Sequence, residues 1–251
     1  MVLEINRKIF IFKTKEVLFS EFPYEIDDYH SVFFRSCKNK VDLPGFERED
    51  FTTLVIDLSS ELDKIWENMQ KKSCRYEIKR AIREGIQIRL NKDYEEFYEI
   101  NRLFRKNKKL PGLTDLDLEF MKRFGTLFTA ELNSEIICGQ LYLEDTNNII
   151  WLIGASKRLE VSKEKAILIG CGNRLMIWEA IQYAKNKGIK EFDMGGYYTR
   201  SEKDEQKEKI NIFKKSFGGR LITNYNYRKD YSIIFKLAKK INSLIINREG
   251  K

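Results

Sequence analysis

Two glycine pairs in the last third of the chain restrict its fold more than any other feature. Gly195–Gly196 follows a short strand pattern at 189–194, and Asp193 stands two residues before Gly195. Gly218–Gly219 ends a charged helical pattern, and a final strand pattern begins at Arg220. Each pair permits a positive φ or a close approach of another backbone segment. This segment therefore predicts a strand, a turn, a helix, a second turn and a strand.

Hydrophobic periodicity predicts a regular order of elements from residue 86 to residue 230. A strand begins at Ile86, helices follow at 93–108 and 115–124, and a long helix runs from about Lys165 to Lys187. Three strands in a meander are predicted between these helices, at 127–132, 136–144 and 149–155. The whole order is β, α, α, β, β, β, α, β, α, β.

The segments on either side of this core are less regular. Alternation in KIFIFKTKEVLF, at 8–19, predicts one strand, and TLVIDL, at 53–58, predicts a buried strand. A helix and a second, basic helix that stops at Gly85 follow. We therefore expect a partial N-terminal lobe at 1–85, a core at 86–230 and a basic amphipathic helix at 231–251.

Composition narrows the class of protein. Of the 251 residues, 42% are hydrophobic, so a sizeable core is possible, and the net charge of +8 favours polyanionic partners such as nucleic acid, pyrophosphate or anionic lipid. The chain has no apolar run of roughly 18 residues that could span a membrane, and no pattern of a cleaved signal peptide. These features predict a cytoplasmic location, with peripheral contact to a membrane as an open alternative.

Cysteine and histidine usage argues against metal and histidine chemistry. Cys37, Cys74, Cys138 and Cys171 form no CxxC pair, and none of them is close in sequence to His30, the only histidine. We expect four reduced, mostly buried thiols, a structural His30 and no metal site.

The order of elements resembles the core of the GNAT acyltransferase fold, in which two parallel central strands splay apart and an acyl donor lies in the gap. Three passages make the resemblance narrower: CRYEIKRAIREGIQI at 74–88, NIIWLIGAS at 148–156 with NRLMIWEAIQYAKNKGIKEFDMGG at 173–196, and INIFKKSFGGRL at 210–221. They resemble the FemABX family of peptidoglycan bridge-forming aminoacyltransferases and the related FemAB-like acyltransferases. The resemblance covers about 53–227 and implies an α/β (α+β) fold with a mixed, splayed central sheet and flanking helices.

This resemblance implies amide formation on an amine of a cell-wall or polysaccharide precursor. The donor is an aminoacyl-tRNA or an acyl-CoA, and no tightly bound cofactor is expected. In acetyl-CoA-dependent GNAT enzymes a Gly-rich loop binds pyrophosphate at the start of the long helix. Residues 154–173, GASKRLEVSKEKAILIGCGN, lack that spacing, which favours aminoacyl-tRNA or another donor. Fem proteins usually carry two tandem GNAT-like domains, whereas this chain has one core, so the acceptor stays open.

Acyl transfer to an amine requires a positioned acceptor, a proton acceptor and fixed donors for the oxyanion. Asp193 ends a core strand and can act as the general base, or it can cap the backbone amides of Gly195 and Gly196. Lys214 matches the lysine of the family's FK-x-x-FGG pattern. The resemblance implies a role for Lys214 near the donor's phosphate or the tetrahedral intermediate. Its alternative is a solvated helix lysine beside Lys215.

Further residues are candidates for substrate binding because they flank the expected cleft. They are Gly195, Gly196, Tyr197, Tyr198, Arg200, Arg75 and Lys79. The tyrosines and Arg200 can contact sugar, phosphate or peptide, and the basic helix can contact phosphate or tRNA. The alternatives are an ordinary surface loop and a solvated helix face. The tryptophans are interpreted as core residues.

The C-terminal helix pattern sets isoleucines and leucines against lysines. Such a helix can lie on an anionic membrane surface or pack on its own domain. Two other functions stay open beside the FemAB-like enzyme. One is an acetyl-CoA-dependent N-acetyltransferase for an amino sugar or small amine, and the other is a basic nucleic-acid-binding protein without catalysis.

Overall fold

The computed structural model describes residues 2–200 and 204–240, and it divides into two compact units. We call residues 54–221 the core unit, and residues 1–53 together with 222–251 the terminal unit. The strands, in chain order, are β1 (Leu3–Ile9), β2 (Phe12–Leu18), β3 (Ser31–Cys37), β4 (Glu47–Asp57), β5 (Gln87–Leu90), β6 (Thr126–Leu132), β7 (Glu135–Glu144), β8 (Asn148–Ser156), β9 (Glu191–Gly196) and β10 (Arg220–Asp230). The α-helices are α1 (Leu62–Asn68), α2 (Tyr76–Arg83), α3 (Tyr94–Asn107), α4 (Asp115–Phe124), α5 (Lys163–Asn186) and α6 (Glu205–Lys215).

The core unit contains a mixed sheet in the order β4-β9-β8-β7-β6-β5, with residues 54–57 of β4 at one edge. β8 and β9 are parallel, while β5 to β8 form an antiparallel meander. Since side chains alternate across a strand, Leu127 and Phe128 enter different hydrophobic clusters, as do Leu141 and Tyr142. One cluster takes the apolar faces of α1, α2 and α5, and the other takes those of α3 and α4. The sheet is therefore covered by helices on both faces.

The predicted order of elements between residues 86 and 230 is confirmed. Each strand of the meander lies within one or two residues of its predicted position. The long helix predicted at 165–187 is α5, which spans Lys163–Asn186. β9 runs through the first glycine pair, which sequence reasoning had placed after the strand. The fold class is that expected: a mixed α/β fold with a central sheet and flanking helices.

The division into units differs from the predicted boundaries. Residues 54–85 pack into the larger hydrophobic cluster of the core unit, which we call the main core. Leu54, Ile65 and Ile78 are among the residues that enter it, and α2 lies against α5. Most of β10, conversely, belongs to the terminal unit, where it pairs antiparallel with β3. The two compact units are therefore divided near residues 53 and 221, and not at the expected boundaries near residues 85 and 231.

The terminal unit corrects one prediction about the N-terminus. The single strand expected at 8–19 is a hairpin, in which Phe10 and Ile11 form the turn between β1 and β2. No glycine, proline, asparagine or aspartate marks this turn, so the alternating pattern concealed it. The hairpin continues into a parallel pairing of β2 with β3, around a small core that includes Val17, Phe34 and Tyr227.

Residues 233–240 are helical, and the rest of the predicted C-terminal helix lies outside the described residues. Phe235 packs edge-on against Phe12, with 5.1 Å between ring centroids. Ile233, Ile234 and Leu237 are exposed. Of the two alternatives left open for this helix, packing on the domain does not account for these three side chains.

The remaining structural predictions concern thiols and histidine. All four cysteines are free and buried, as predicted, and burial raises the pKa of Cys37 and of Cys74 to about 12. His30 accepts a hydrogen bond at Nδ1 from the Lys13 backbone N–H, at 2.9 Å, which fits the structural role expected for it. Within the described ranges, no helix has the length and apolarity needed to cross a bilayer.

The second glycine pair generates a stability prediction. Gly219 has φ +87°, and a Cβ there would lie 2.6 Å from the Val55 carbonyl oxygen. Gly85 has φ +77° with no heavy atom within 4 Å of its Cβ position, so it is a matched control for the backbone strain alone. Gly219→Ala should lower the free energy of unfolding by about 1–3 kcal/mol more than Gly85→Ala, because a rigid carbonyl must move. Urea denaturation measures both, and equal losses would contradict this reading of the glycine pair.

Candidate active site

The two parallel strands of the core unit diverge at the end of their pairing. β8 and β9 are in register from Asn148 and Glu191 to Ile150 and Asp193. β8 then continues to Ser156, and its side chains change from buried to half-buried at residues 151–154. Parallel sheets bind ligands at the carboxyl ends of strands where the connectivity switches. The splay expected from the resemblance is therefore present, and it defines the candidate site.

Helix α6 places Lys214 at this divergence. Lys214 Nζ donates a hydrogen bond to the Gly196 carbonyl oxygen at 2.6 Å and lies 5.6 Å from the centroid of the Trp151 ring. Lys214 is only 7% exposed, whereas Lys215 beside it is exposed. The alternative of a solvated surface lysine is therefore wrong for Lys214.

Two aromatic side chains that flank Lys214 in the sequence anchor the end of α6 to the core. Phe213 and Phe217, one turn apart, have ring centroids 5.5 Å from each other, and Phe217 is fully buried in the main core. Phe213 also lies 6.2 Å from the Trp151 ring. All three tryptophans pack against this core, as predicted, and Trp151 also faces the site.

The burial of Lys214 changes its acid–base behaviour. Desolvation lowers the pKa of Lys214 from 10.5 to about 8, and the Asp193 charge opposes this shift. A buried ammonium is destabilised because few protein groups replace its water shell. Lys214 therefore titrates close to neutral pH, as is typical of groups that take part in proton transfer or charge stabilisation.

Asp193 is 6% exposed, and its carboxylate accepts a hydrogen bond from the Gly195 N–H at 2.7 Å. This is the capping contact that the sequence offered as the alternative to catalysis. Gly195 has φ +73°, and a Cβ there would lie 2.9 Å from the Trp151 carbonyl oxygen. Asp193 thus holds the turn and supplies a negative charge near Lys214, and its role as a base stays a prediction.

The loop after β9 is held by a residue that the sequence reasoning missed. Asn211 accepts from the Tyr198 N–H at 3.0 Å and donates to the Tyr198 carbonyl at 2.7 Å. Tyr197 packs against the main core, and Arg200 is exposed. Asn211 is buried one helical turn before Lys214, on the same face of α6. A polar residue at the spacing of a buried helix face is the sequence signal that could have identified it.

The basic helix adjoins the end of α6. The Gln70 N–H donates to the Ser216 carbonyl at 2.9 Å, and a π-helical turn, Lys71–Arg75, follows. Arg75 is half-buried, and its Nε has no hydrogen-bond partner among the described residues, while Lys79 is exposed. The structure therefore brings the first turn of this basic segment to α6 and leaves Lys79 on the surface.

Arg174 of α5 is a second residue that the sequence reasoning missed. Its guanidinium carbon lies 4.5 Å from the centroid of the Phe213 ring, and its Nη1 lies 3.3 Å from a Glu77 carboxylate oxygen. Its Nε is buried and, like that of Arg75, has no hydrogen-bond partner in the described part of the chain. An arginine within the apolar stretch of a long helix was the signal for it.

Two lysine side chains at the start of α5 form ion pairs with one carboxylate. Lys157 and Lys165 both bind the Glu135 carboxylate, at 2.9 and 2.7 Å, and these lysines lower the pKa of Glu135. Ser162 caps the helix, its hydroxyl accepting from the Lys165 N–H at 3.3 Å. Two of the basic side chains at this helix N-terminus are thus already paired with a carboxylate.

A separate groove of about 430 Å³ lies beside the second glycine pair. Asp57, Asn68 and Arg220 line it together with Gly218 and Gly219. The Leu58 N–H donates to the Lys190 carbonyl, so this region adjoins the beginning of β9, whereas the splay is at its end. The predicted site residues do not line this groove.

The core unit has the architecture of the GNAT fold. No family model and no curated protein matches the chain. A crystal structure of FemX superposes with a TM-score of 0.62 at 13% identity, covering 94% of this chain and 85% of FemX. The C-terminal domain of a putative lysylphosphatidylglycerol synthetase from Agrobacterium fabrum gives 0.56 at 10%, covering 94% and 81%. L-PGS from Bacillus licheniformis gives 0.56 at 13%, covering 94% and 84%. The expected likeness to a FemX-like GNAT fold is confirmed.

The depressed pKa of Lys214 predicts a pH dependence of stability. Since the folded-state pKa of about 8 is below the unfolded value of 10.5, the folded state resists protonation. The penalty is full below about pH 8 and disappears as the pH rises towards the unfolded pKa. Between about pH 7 and about pH 10 the parent should therefore gain roughly 2–3 kcal/mol relative to Lys214→Met.

Denaturant titrations across this pH range measure the difference. Lys215→Met is the control, and its stability should follow that of the parent at every pH because Lys215 is exposed. Parallel curves for the parent and Lys214→Met would show that Lys214 is not desolvated.

Proposed function

We propose that this protein is an acyltransferase that forms an amide on an amine of a cell-envelope precursor. The observation that carries the proposal is the buried ammonium of Lys214 at the divergence of β8 and β9. A desolvated cation at a ligand-binding edge of a sheet has a large electrostatic effect on charge that develops there. The FemX-like fold supports the same class of reaction.

The chemistry assigns a role to each group. The acceptor amine attacks the carbonyl carbon of the donor ester, and an oxyanion forms as the carbonyl π bond breaks. Lys214 donates a hydrogen bond to that oxyanion, or a proton to the departing ester oxygen. The attacking nitrogen loses its proton to a base, for which Asp193 is the candidate. Collapse of the intermediate breaks the C–O bond of the ester and leaves the amide. The departing oxygen takes its proton from Lys214, or from the protonated base where Lys214 only binds the oxyanion, and becomes the freed hydroxyl of the donor.

An aminoacyl-tRNA is the proposed donor in preference to acyl-CoA. At the start of α5, Glu135 occupies two of the lysines that could bind a pyrophosphate. At the free edge of β8, the Trp151 indole donates to the Ile153 carbonyl at 2.9 Å, and its ring lies over Gly154. An extended donor arm along this edge would have to displace the indole. Both observations favour a donor that requires neither a pyrophosphate site at the start of α5 nor an open edge of β8.

Phosphate groups of tRNA provide a use for the arginines near α6. Arg75 is half-buried beside the end of α6, and a guanidinium group matches the acceptor geometry of a phosphate. Arg174 lies nearby, against the Phe213 ring. Arg200 and Lys79 are exposed and add positive charge outside the site. Gly195, Gly196, Tyr197 and Tyr198 remain the proposed contacts for the acceptor.

The acceptor is proposed from the neighbours' names. One structural neighbour is named as a lysylphosphatidylglycerol synthetase, a name that describes attachment of an amino acid to a membrane lipid. FemX shares its name with the FemABX family, and the resemblance of this sequence to that family implies a peptidoglycan precursor as acceptor. Both associate this fold with cell-envelope acceptors, so the proposed acceptor is a muramoyl peptide or a related precursor.

A transfer assay tests the proposal. The purified protein is incubated with tRNA carrying radiolabelled amino acids, or with radiolabelled acetyl-CoA, and with a UDP-linked muramoyl pentapeptide or phosphatidylglycerol vesicles. We expect label to move from tRNA to the peptide. Lys214→Ala should lower kcat by at least about 100-fold, and Lys215→Ala should change it by less than about twofold.

Three results would contradict the proposal. Transfer from acetyl-CoA alone would identify the N-acetyltransferase. A folded Lys214→Ala variant with full activity would remove Lys214 from the site. Nucleic-acid binding that disappears at physiological salt, with no transfer to any acceptor, would leave only the electrostatics of a basic protein.

The pH profile of transfer provides a second test. Since Lys214 must be protonated to donate, and its pKa is lowered to about 8, kcat should fall above that pH. Lys214→Arg keeps its charge at all accessible pH values, so its residual activity should lack the fall. A fall of the same size in Lys214→Arg would assign the titration to another group.

A further inference from the structure

The turn between β1 and β2 is made of residues that turns seldom use. Phe10 has φ +53°, a left-handed conformation that is costly for a bulky side chain. Phe10 is 89% exposed and Ile11 is 73% exposed. Asparagine or glycine would form this turn with less backbone strain, and neither would expose a large apolar side chain to water. The strained backbone and the exposed apolar side chains therefore reduce the stability of the hairpin, and nothing in the fold requires them.

A second segment of the same unit adds exposed apolar surface beside the hairpin. The ring of Phe235 packs against Phe12, so the helical residues 233–240 lie next to the hairpin turn. Ile233 is 74%, Ile234 67% and Leu237 56% exposed. We define the apolar tip as the side chains of Phe10, Ile11, Ile233, Ile234 and Leu237.

Basic side chains surround the apolar tip. Residues 7–13 contain Arg7, Lys8 and Lys13 and no acid, and residues 232–240 contain three lysines and no acid. Lys8 and Lys13 are direct partners across the hairpin, one step from its turn. Two of these charges are compensated. Lys239 binds Asp230 at 2.8 Å, and Arg7 lies 3.8 Å from a Glu16 carboxylate oxygen. Lys8, Lys13 and Lys236 are exposed and give the tip a positive rim.

We propose that the apolar tip docks the terminal unit on an anionic membrane surface. Phe10, Ile11 and the helix residues enter the boundary between headgroups and acyl chains, and the lysines contact the anionic headgroups. Nucleic acid would account for the positive rim but not for the apolar side chains. A second copy of the chain would bring two positive rims together, which opposes association. An anionic bilayer satisfies both parts of the surface.

This docking is independent of the proposed acyl transfer, because no residue of the candidate site takes part in it. It would nevertheless hold the protein where acceptors of the cell envelope are made.

Sedimentation with lipid vesicles tests the proposal. Vesicles of phosphatidylcholine with phosphatidylglycerol should bind the full chain, and vesicles of phosphatidylcholine alone should bind it much more weakly. Phe10→Ser with Ile11→Ser should weaken binding by at least about tenfold, since two large apolar side chains no longer enter the bilayer. Leu110→Ser with Leu116→Ser is the matched control, because these leucines are 47% and 60% exposed in the core unit. The control should bind as the parent does.

The charge and the depth of insertion are tested separately. Lys8→Glu with Lys13→Glu should remove the preference for phosphatidylglycerol while the protein stays folded. In Phe10→Trp, brominated acyl chains should quench the new indole, whereas Leu116→Trp should show no added quenching over the parent.

Each of several outcomes would overturn the proposal. The first is equal vesicle binding by the parent and the Phe10→Ser, Ile11→Ser variant. The second is binding without quenching at position 10 that disappears at physiological salt, which would mean electrostatic attraction only. The third is a concentration-dependent dimer, seen by analytical ultracentrifugation and lost in the variant, with no vesicle binding. That result would make the tip an interface between copies.

Discussion

The hydrogen bond from the buried Lys214 ammonium to the Gly196 carbonyl is the interaction on which the candidate site depends. It ties α6 to the end of β9 at the point where β9 separates from β8. A buried charge persists only where neighbouring groups compensate for its lost hydration. The carbonyl, the Trp151 ring and the Asp193 charge provide that compensation. The arrangement favours reactivity over stability, because an apolar residue would cost less to bury.

The surroundings of Lys214 explain several features that look unrelated in the sequence. Gly195 has a positive φ, and a Cβ there would meet the Trp151 carbonyl oxygen, so this position requires glycine. Asp193 is buried beside it and accepts a hydrogen bond from the Gly195 amide. Asn211 holds the next loop from the same helix that carries Lys214. The strand, the turn and the helix thus form one rigid support for a single cation.

The sequence predicted the parts of the fold that rest on strong local patterns. The meander of β6 to β8 and the long α5 have clear apolar periodicity, so their order and approximate limits could be read directly. Lys214 and Asp193 could be selected from their places beside glycine pairs. The β1–β2 turn could not, because Phe10 and Ile11 continue the alternation of the strands. The packing of residues 54–85 was missed because it depends on tertiary contacts that no local pattern encodes. Arg174 carried a local signal, a cation within an apolar helix, but its contact with Phe213 depends on the tertiary structure.

The burial of the four cysteines has a practical consequence for spectroscopy on this protein. Thiol reagents attack the thiolate, and a pKa near 12, as at Cys37 and Cys74, leaves almost none of it at neutral pH. Cys138 and Cys171 are buried as well, and burial raises their pKa values too. A cysteine introduced on the surface would therefore react far faster than the native thiols. Spin labels or fluorophores could be attached at one chosen position without first replacing any native residue.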